Sequence, residues 1–235
     1  MIDGTPERAI EGVILDVDGT LVDSNRLHAQ AWFDAMREAG LAGGTVADVQ
    51  RLIGMGSDKL LPAATGVDVG SEVGRRVAER RAELFRTLYL PTVRPVPGAR
   101  ELVETLRDSG YRLAVASSAE PEELARLLDV VGVGWLGERA TSADEVDESK
   151  PEPDVVRAAL RELDLPPERV ALIGDTPYDV EAGTRAGVTV VAVRSGGWDD
   201  AGLRGAAAVY RDAAELRDRL ATSPLARAVS VHRRA

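Results

Sequence analysis

The sequence predicts an α/β protein with a doubly wound parallel sheet and an inserted helical domain. Short apolar runs alternate with helical segments along most of the 235 residues, a pattern typical of parallel strands covered by helices on both faces. After the first apolar run, roughly 70 residues show only helical spacing, which indicates an insertion. Several of the runs end in acidic or hydroxyl residues, as expected where a parallel sheet carries its site.

The predicted strands are the apolar runs at residues 13–15, 112–116, 170–173 and 188–193. The predicted helices between them start near prolines, which favour the first helical turn. These helices are predicted at residues 99–108, 122–130 and 152–163, after Pro97-Gly98, Pro121 and Pro151 respectively.

Residues 23–94 contain no run typical of a strand, but their apolar residues recur at helical spacing. The chain is therefore divided into a core of residues 1–22 and 95–222 and a helical cap of residues 23–94. Residues 223–235 are polar and basic without an apolar pattern, which predicts a flexible tail.

Composition excludes several classes of function. The chain is 44% hydrophobic and 29% charged, with a net charge of −10, so we expect neither a nucleic-acid nor a membrane partner. It has no cysteine, which excludes disulfides, thiolate metal sites and cysteine nucleophiles. No stretch approaches the ~20 apolar residues of a membrane span. The first residues lack the form of a signal peptide, so we expect a cytoplasmic protein; the oligomeric state is not readable from the sequence.

The first apolar run ends in Asp16-Val17-Asp18-Gly19-Thr20. Two neighbouring carboxylates repel each other unless a cation or a shared proton intervenes, so the pattern favours a bound Mg²⁺. Calcium loops and ordinary turns contain the same short pattern, and further sites are needed to interpret it.

Three other segments supply polar groups at predicted strand ends or in a rigid turn. Ser117 and Ser118 follow the second run, where they offer phosphate-binding groups or a simple helix cap. Lys150 precedes a proline, whereas most lysines are solvated. Asp175 closes an apolar strand and needs a cation or donors there. Asp179 follows four residues later, as a metal contact or as the acid of a capping box with Thr176.

In this order, the four motifs resemble those of the haloacid dehalogenase-like phosphohydrolases, over residues 12 to about 220. The resemblance implies a helical cap between the first two motifs and a Mg²⁺ cofactor. It also implies a role for each matching residue. Asp16 would be the nucleophile, Asp18 the acid/base, Ser117 a phosphate-binding hydroxyl and Lys150 the charge-neutralising lysine, with metal contacts from Asp16, Asp18, Asp175 and Asp179.

The function predicted from these features is Mg²⁺-dependent hydrolysis of a small phosphate monoester through an aspartyl-phosphate. A sugar phosphomutase is the alternative, because residues 23–32 resemble the start of the cap in the β-phosphoglucomutase branch. At Gly174, however, that branch would imply a second acid beside Asp175. A non-catalytic receiver protein is remote, since its acids precede the phosphoacceptor and no long cap interrupts it.

Substrate selection is expected to lie in the cap, with His28 and Lys59 as candidates. His28 either faces the leaving group or is a helix-surface histidine, and Lys59 either neutralises an anionic substrate or is solvated. The aromatic content of 4% disfavours nucleotides, so the expected partner is a small phosphorylated metabolite.

Overall fold

The computed structural model describes residues 10–141 and 148–226. Within these ranges, six strands form one sheet in the order β3-β2-β1-β4-β5-β6, and every pairing is parallel. The strands are β1 (Gly12–Leu15), β2 (Arg112–Ala116), β3 (Ala140–Thr141), β4 (Val170–Gly174), β5 (Thr189–Val193) and β6 (Ala208–Tyr210).

Helices follow or separate these strands along the chain. They are α1 (Asn25–Glu38), α2 (Val46–Gln50), α3 (Ser57–Thr65), α4 (Glu72–Leu84), α5 (Ala99–Asp108), α6 (Pro121–Val131), α7 (Asp154–Leu163), α8 (Pro177–Ala186) and α9 (Ala213–Asp218). None of the helices in the described ranges is long and apolar enough to cross a membrane.

The predicted α/β fold is confirmed, with two strands more than the sequence indicated. β3 has two residues and β6 has three, and both lie at the edges of the sheet. Edge strands this short carry no long apolar run, so periodicity does not distinguish them from loops.

The register of the central strands places their carboxyl ends side by side. Leu15, the last residue of β1, pairs with Val115 on one side and with Ile173 on the other. The chain passes from β1 to β2 on one side and later returns to β4 on the opposite side. Such a change of direction opens a crevice at the carboxyl edge of a parallel sheet.

Helices α1 to α4 lie between β1 and β2, and α1 packs against α2 and α4. The α4 helix continues as a π-helical turn at Phe85–Tyr89. The chain leaves and re-enters the sheet region through two adjacent segments. Two backbone hydrogen bonds join these segments: Asp23 N donates to Arg94 O (2.9 Å), and Val96 N donates to Leu21 O (2.9 Å). The division at residues 23–94 into a separate cap stays a prediction.

Two local predictions are wrong. The helix expected from residue 152 begins at Asp154, with Pro153 at its N-cap, because Pro151 lies in the turn before it. Residues 223–226 of the expected tail pack onto the core: Leu225 is fully buried and its carbonyl accepts a hydrogen bond from the Tyr111 hydroxyl. A short segment with a single large apolar side chain at Leu225 leaves no periodic signal. Residues 227–235 lie outside the described residues.

Candidate active site

Asp16 follows β1 directly and lies at the carboxyl edge of the sheet. Its backbone N–H donates to the Ile173 carbonyl (2.9 Å), which extends the ladder with β4 by one residue. The carboxylate is buried, and its Oδ1 accepts from Lys150 Nζ at 2.5 Å. The strand therefore holds a carboxylate at a fixed place beside a single ammonium group.

Lys150 is 1% exposed, and its ammonium has three acceptors. It lies 2.5 Å from Asp16 Oδ1, 2.8 Å from Asp179 Oδ1 and 3.1 Å from the Ala116 carbonyl. Burial alone would lower the pKa of Lys150, but the two carboxylates outweigh it and raise the pKa above its ordinary value. Lys150 is consequently a charged, fully coordinated cation and not a solvated lysine.

Asp175 follows β4 and is fully buried. Its Oδ1 accepts from Thr20 Oγ1 (3.0 Å) and its Oδ2 accepts from Asn25 Nδ2 (2.8 Å). Glycines surround it on two sides, since a Cβ at Gly19 or Gly196 would lie 2.2 or 1.6 Å from Asp175 Oδ2. The carboxylate is thus fixed by donors and by close backbone approach.

Asp179 forms a capping box with Thr176 at the start of α8, as the sequence predicts. Its Oδ2 accepts from Thr176 N (3.1 Å) and Thr176 Oγ1 (2.6 Å), while its Oδ1 faces Lys150. The helix start therefore aims one oxygen of Asp179 toward the site.

The carboxylates of Asp16, Asp175 and Asp179 each bring an oxygen within 4.8 Å of the others. Burial raises the pKa of Asp16 to about 7, against the opposing effect of Lys150, and burial with the neighbouring carboxylates raises that of Asp175 well above its ordinary value. Lys150 contacts two of these three buried carboxylates, those of Asp16 and Asp179. Oxygen ligands with an excess of negative charge suit a hard divalent cation such as Mg²⁺.

Asp18 was predicted to contact the metal; its side chain lies outside this carboxylate cluster, and a contact through its backbone carbonyl stays a prediction. Its Oδ1 instead accepts from Ser24 Oγ (2.5 Å) and contacts His28 Nε2 (2.8 Å). Burial alone would raise the pKa of Asp18, but His28 and Ser24 outweigh it and lower the pKa to about 2. Residues i and i+2 of a regular strand share a face, but β1 ends at Leu15 and the chain turns at Gly19 (φ 79°), so Asp16 and Asp18 meet different partners although only one residue separates them.

His28 is 2% exposed, so its interpretation as a helix-surface histidine is wrong. Its ring stacks on Phe85 at 3.8 Å, and its Nδ1 contacts Arg81 Nη2 at 2.7 Å. Arginine can only donate hydrogen bonds, so Nδ1 accepts and the proton of the neutral ring lies on Nε2, which donates to Asp18. Arg81 also pairs with Glu123 of α6 at 3.3 Å.

Sequence reasoning missed Arg81 and Glu123. Arg81 is one of several arginines in α4, and its residue type does not distinguish it from Arg75, Arg76 or Arg80. Its helical position, four residues before Phe85, is the one available signal, because it places Arg81 on the face of α4 that carries this buried ring.

A cavity of about 300 Å³ lies beside these groups and is lined by Asp16, Asp18, His28, Arg81 and Ser118, among others. Ser117 is not among the lining residues. It is buried, and its Oγ accepts from Ala119 N (3.1 Å) within the turn that follows β2.

Lys59 was predicted either to neutralise an anionic substrate or to be solvated; its side chain is partly buried, and contact with the substrate stays a prediction. Lys59 is not among the residues that line the cavity. Its Nζ donates to the Ser149 carbonyl (2.5 Å) and lies 3.3 Å from Glu148 Oε2. Lys59 therefore joins α3 to the loop that carries Lys150.

Comparison with known proteins agrees with this geometry. The family model described as haloacid dehalogenase-like hydrolase matches residues 10–187. The phosphoglycolate phosphatase of Rhodospirillum rubrum is 32% identical over 217 residues, which cover 88% of this chain and 90% of that protein.

Solved structures give the same result. A hydrolase from Pseudomonas syringae superposes with a TM-score of 0.84 at 29% identity, covering 90% of this chain and 98% of that one. A β-phosphoglucomutase from Clostridium difficile has a TM-score of 0.73 at 18% identity over 88% of this chain and 93% of its own, and shows the shared fold alone. The chain belongs to the haloacid dehalogenase-like hydrolases.

Proposed function

We propose that this protein is a Mg²⁺-dependent phosphatase that hydrolyses small phosphate monoesters through an aspartyl-phosphate on Asp16. The observation that carries the proposal is the buried group of Asp16, Lys150, Asp175 and Asp179, which adjoins a cavity of about 300 Å³. The group combines a nucleophile, a fixed cation and carboxylates suited to a metal, which are the parts that phosphoryl transfer requires.

In the first step, a carboxylate oxygen of Asp16 attacks the phosphorus and the bond from phosphorus to the ester oxygen breaks. Asp18 gives a proton to the departing oxygen, which leaves as an alcohol. Lys150 offsets the negative charge that develops on the phosphoryl oxygens, and the hydroxyl and backbone N–H groups of Ser117 and Ser118 bind these oxygens.

In the second step, water attacks the phosphorus of the aspartyl-phosphate. Asp18 takes the proton from this water, and the bond between phosphorus and the Asp16 oxygen breaks to release inorganic phosphate. The hydrogen bonds from His28 and Ser24 stabilise the carboxylate form of Asp18, which suits it to act as the base. A bound phosphate dianion nearby raises the proton affinity of Asp18, which suits the first step.

Asp16, Asp175 and Asp179 would hold the Mg²⁺. When bound, the ion supplies positive charge for the phosphoryl oxygens and offsets the repulsion among these carboxylates. The fit rests on the donor set: buried oxygen ligands whose negative charge exceeds that of Lys150.

Residues 23–94 would act as a cap over the site. The cavity has lining residues from α1 and α4 as well as from the sheet edge, for example His28, Arg81 and Ser118. The paired connections near Val22 and Pro95 offer a short hinge. Closure would exclude water while Asp16 is phosphorylated and would select the leaving group.

The test is phosphate release in the presence of Mg²⁺ from a panel of small esters. The panel contains 2-phosphoglycolate, which the name of the Rhodospirillum relative suggests, together with glycerol 3-phosphate, sugar 1- and 6-phosphates and p-nitrophenyl phosphate. We expect at least one ester to release phosphate. This release should require Mg²⁺ and should be absent in Asp16→Asn. A rate of phosphate release that exceeds the rate of Asp16→Asn on none of the esters contradicts the proposal. Conversion of a sugar 1-phosphate into the 6-phosphate identifies a mutase instead.

A further inference from the structure

Ser149, the residue immediately before Lys150, is held at two points by the segment that begins α3. Lys59 Nζ donates to the Ser149 carbonyl at 2.5 Å. The backbone N–H of Gly56 donates to Ser149 Oγ at 3.1 Å. Both contacts join residues about 90 positions apart in the sequence, so the fold alone creates them.

The approach of the two segments is close. Gly56 is the N-cap of α3, and a Cβ at this position would lie 2.6 Å from Ser149 Cβ. Lys59 is in the first turn of the helix, where its side chain reaches back over the N-terminal end. The absence of a side chain at Gly56 therefore permits the close approach to Ser149. Lys59 adds a second hydrogen bond to Ser149 from the first turn of the same helix.

Lys150 depends on the position of its own backbone. Its ammonium is buried, and each of its three acceptors lies within 3.1 Å. Hydrogen bonds weaken steeply outside the normal range of distance and angle. A displacement of the loop at Ser149 would consequently pull the ammonium from Asp16 or from Asp179.

We propose that Lys59 is a positioning residue for Lys150. By holding the Ser149 carbonyl, it couples the seating of α3 on the core to the placement of the Lys150 ammonium beside Asp16. The proposal rests on the proposed function, in which Lys150 offsets charge on the transferring phosphoryl group. This role differs from contact with the substrate, because Lys59 acts through the Ser149 carbonyl.

The chain offers a direct spectroscopic test, because Lys59 and Lys150 are its only lysines. Protein labelled with ¹⁵N-lysine alone gives two backbone amide signals. In Lys59→Met the single remaining signal belongs to Lys150. We expect this signal to shift and broaden relative to the wild type, both recorded with Mg²⁺.

The same variant is assayed on the best ester of the panel. We expect kcat to fall about tenfold or more, since small misplacement of a catalytic group is costly, while KM changes by less than about twofold. Lys59→Arg retains a donor for the carbonyl and should restore most of kcat. Arg80→Met is the matched control: Arg80 is a cationic cap residue that pairs with Glu38 and Glu83, and its replacement should change neither the Lys150 signal nor kcat.

An unchanged Lys150 signal in Lys59→Met overturns the inference, and so does a rise in KM alone, which would place Lys59 on the substrate. If Lys59→Met does not fold, Lys59→Gln provides the same two readouts, because it removes the ammonium that donates to the Ser149 carbonyl and keeps a polar side chain at this partly exposed position. A Lys150 signal and a kcat that both match the wild type in Lys59→Gln then overturn the inference. The spectrum needs no substrate, so loss of the proposed phosphatase activity would not mimic either result.

Discussion

Asp16 is the proposed nucleophile, and its carboxylate lies beside both the Lys150 ammonium and the candidate metal site. Its carboxylate touches Lys150, and oxygens of Asp175 and Asp179 lie within 4.8 Å. Burial and the like charges of Asp179 and Asp18 raise its pKa to about 7 although Lys150 opposes the shift. The charged form of Asp16 is therefore unfavourable in the free protein. A bound cation, or a phosphoryl group on Asp16, would relieve this repulsion.

Asp16→Asn should abolish turnover and leave the fold intact, because an amide neither attacks phosphorus nor carries the phosphoryl group. Without metal, the variant should also melt at a higher temperature than the wild type, since it relieves carboxylate repulsion. The measurements are kcat and the melting temperature in a chelator, with mass spectrometry to exclude deamidation. A kcat above about a tenth of the wild-type value would contradict the nucleophile assignment.

Lys150→Ala should lower kcat by about 10²–10³-fold, the range found when a group that stabilises transition-state charge is removed. It should also cost the metal-free protein about 3–5 kcal/mol in the free energy of unfolding, because it leaves buried carboxylates unpaired. The measurements are single-turnover phosphorylation of Asp16 and urea unfolding.

Arg185→Ala is the matched control for Lys150→Ala. Arg185 also lies 2.5 Å from a carboxylate, that of Glu152, but this pair is on the surface. Its loss should cost less than about 1 kcal/mol and leave the phosphorylation rate unchanged. An Asp16 phosphorylation rate in Lys150→Ala equal to that of the wild type would show that Lys150 does not act in the reaction.

At the scale of elements, parallel strands and the turns after them build the site. Leu15, the last residue of β1, pairs with Ile173, so Asp16 and Asp175 follow neighbouring strands at positions offset by one residue in the register. The 3₁₀ turn at Arg194–Gly196 follows β5 and closes over Asp175 from a third strand. The positions of the candidate metal ligands are thus set by where strands end and by how closely a neighbouring turn approaches.

Gly196→Ala should weaken Mg²⁺ binding by about 10–100-fold, the usual effect of disturbing the surroundings of a ligand. The new Cβ would lie 1.6 Å from Asp175 Oδ2 and 2.8 Å from Asn25 Nδ2, so Asp175 must move. Calorimetric titration with Mg²⁺ measures the effect. Gly137→Ala is the control, because Gly137 is also in a 3₁₀ turn and its added Cβ would make only an ordinary contact at 3.9 Å; equal affinities in both variants would argue against Asp175 as a ligand.

At the scale of the whole molecule, a network crosses from the helices that precede β2 to the core. Glu123 of α6 pairs with Arg81 of α4, Arg81 donates to His28 of α1, and His28 donates to Asp18 after β1. The network runs along the cavity. Closure of the proposed cap would therefore determine the orientation and hydrogen bonding of Asp18.

His28→Ala should reduce kcat/KM unequally among substrates. Esters with strongly basic leaving groups need the proton of Asp18 and should lose most, whereas acetyl phosphate, whose leaving group is a weak base, should stay near the wild-type rate. His28→Gln keeps a donor for Asp18 and should lose less than the alanine variant. Equal losses on all substrates would place His28 in the chemistry of every phosphoryl transfer, and no loss would remove it from the reaction.

Local sequence determined much of the fold and part of the site. Apolar runs predicted β1, β2, β4 and β5 because burial requires consecutive apolar residues. Asp16 and Asp175 were predictable as site candidates, because burying an acid at the end of an apolar strand costs free energy unless a cation or hydrogen-bond donors compensate it. The Thr176 capping box was also readable, since its partners are three residues apart.

Only the tertiary structure decided the partners of Asp18, His28, Arg81 and Lys59. Asp18 was expected on the metal, but its side chain faces Ser24 and His28. Lys59 was expected on the substrate or in solvent, but it holds the carbonyl before Lys150. The physical reason is that strand and helix signals are local, whereas burial and hydrogen bonding depend on which distant segments meet. For Lys59 and Ser149 that separation is 90 residues, and no periodicity within either segment encodes it.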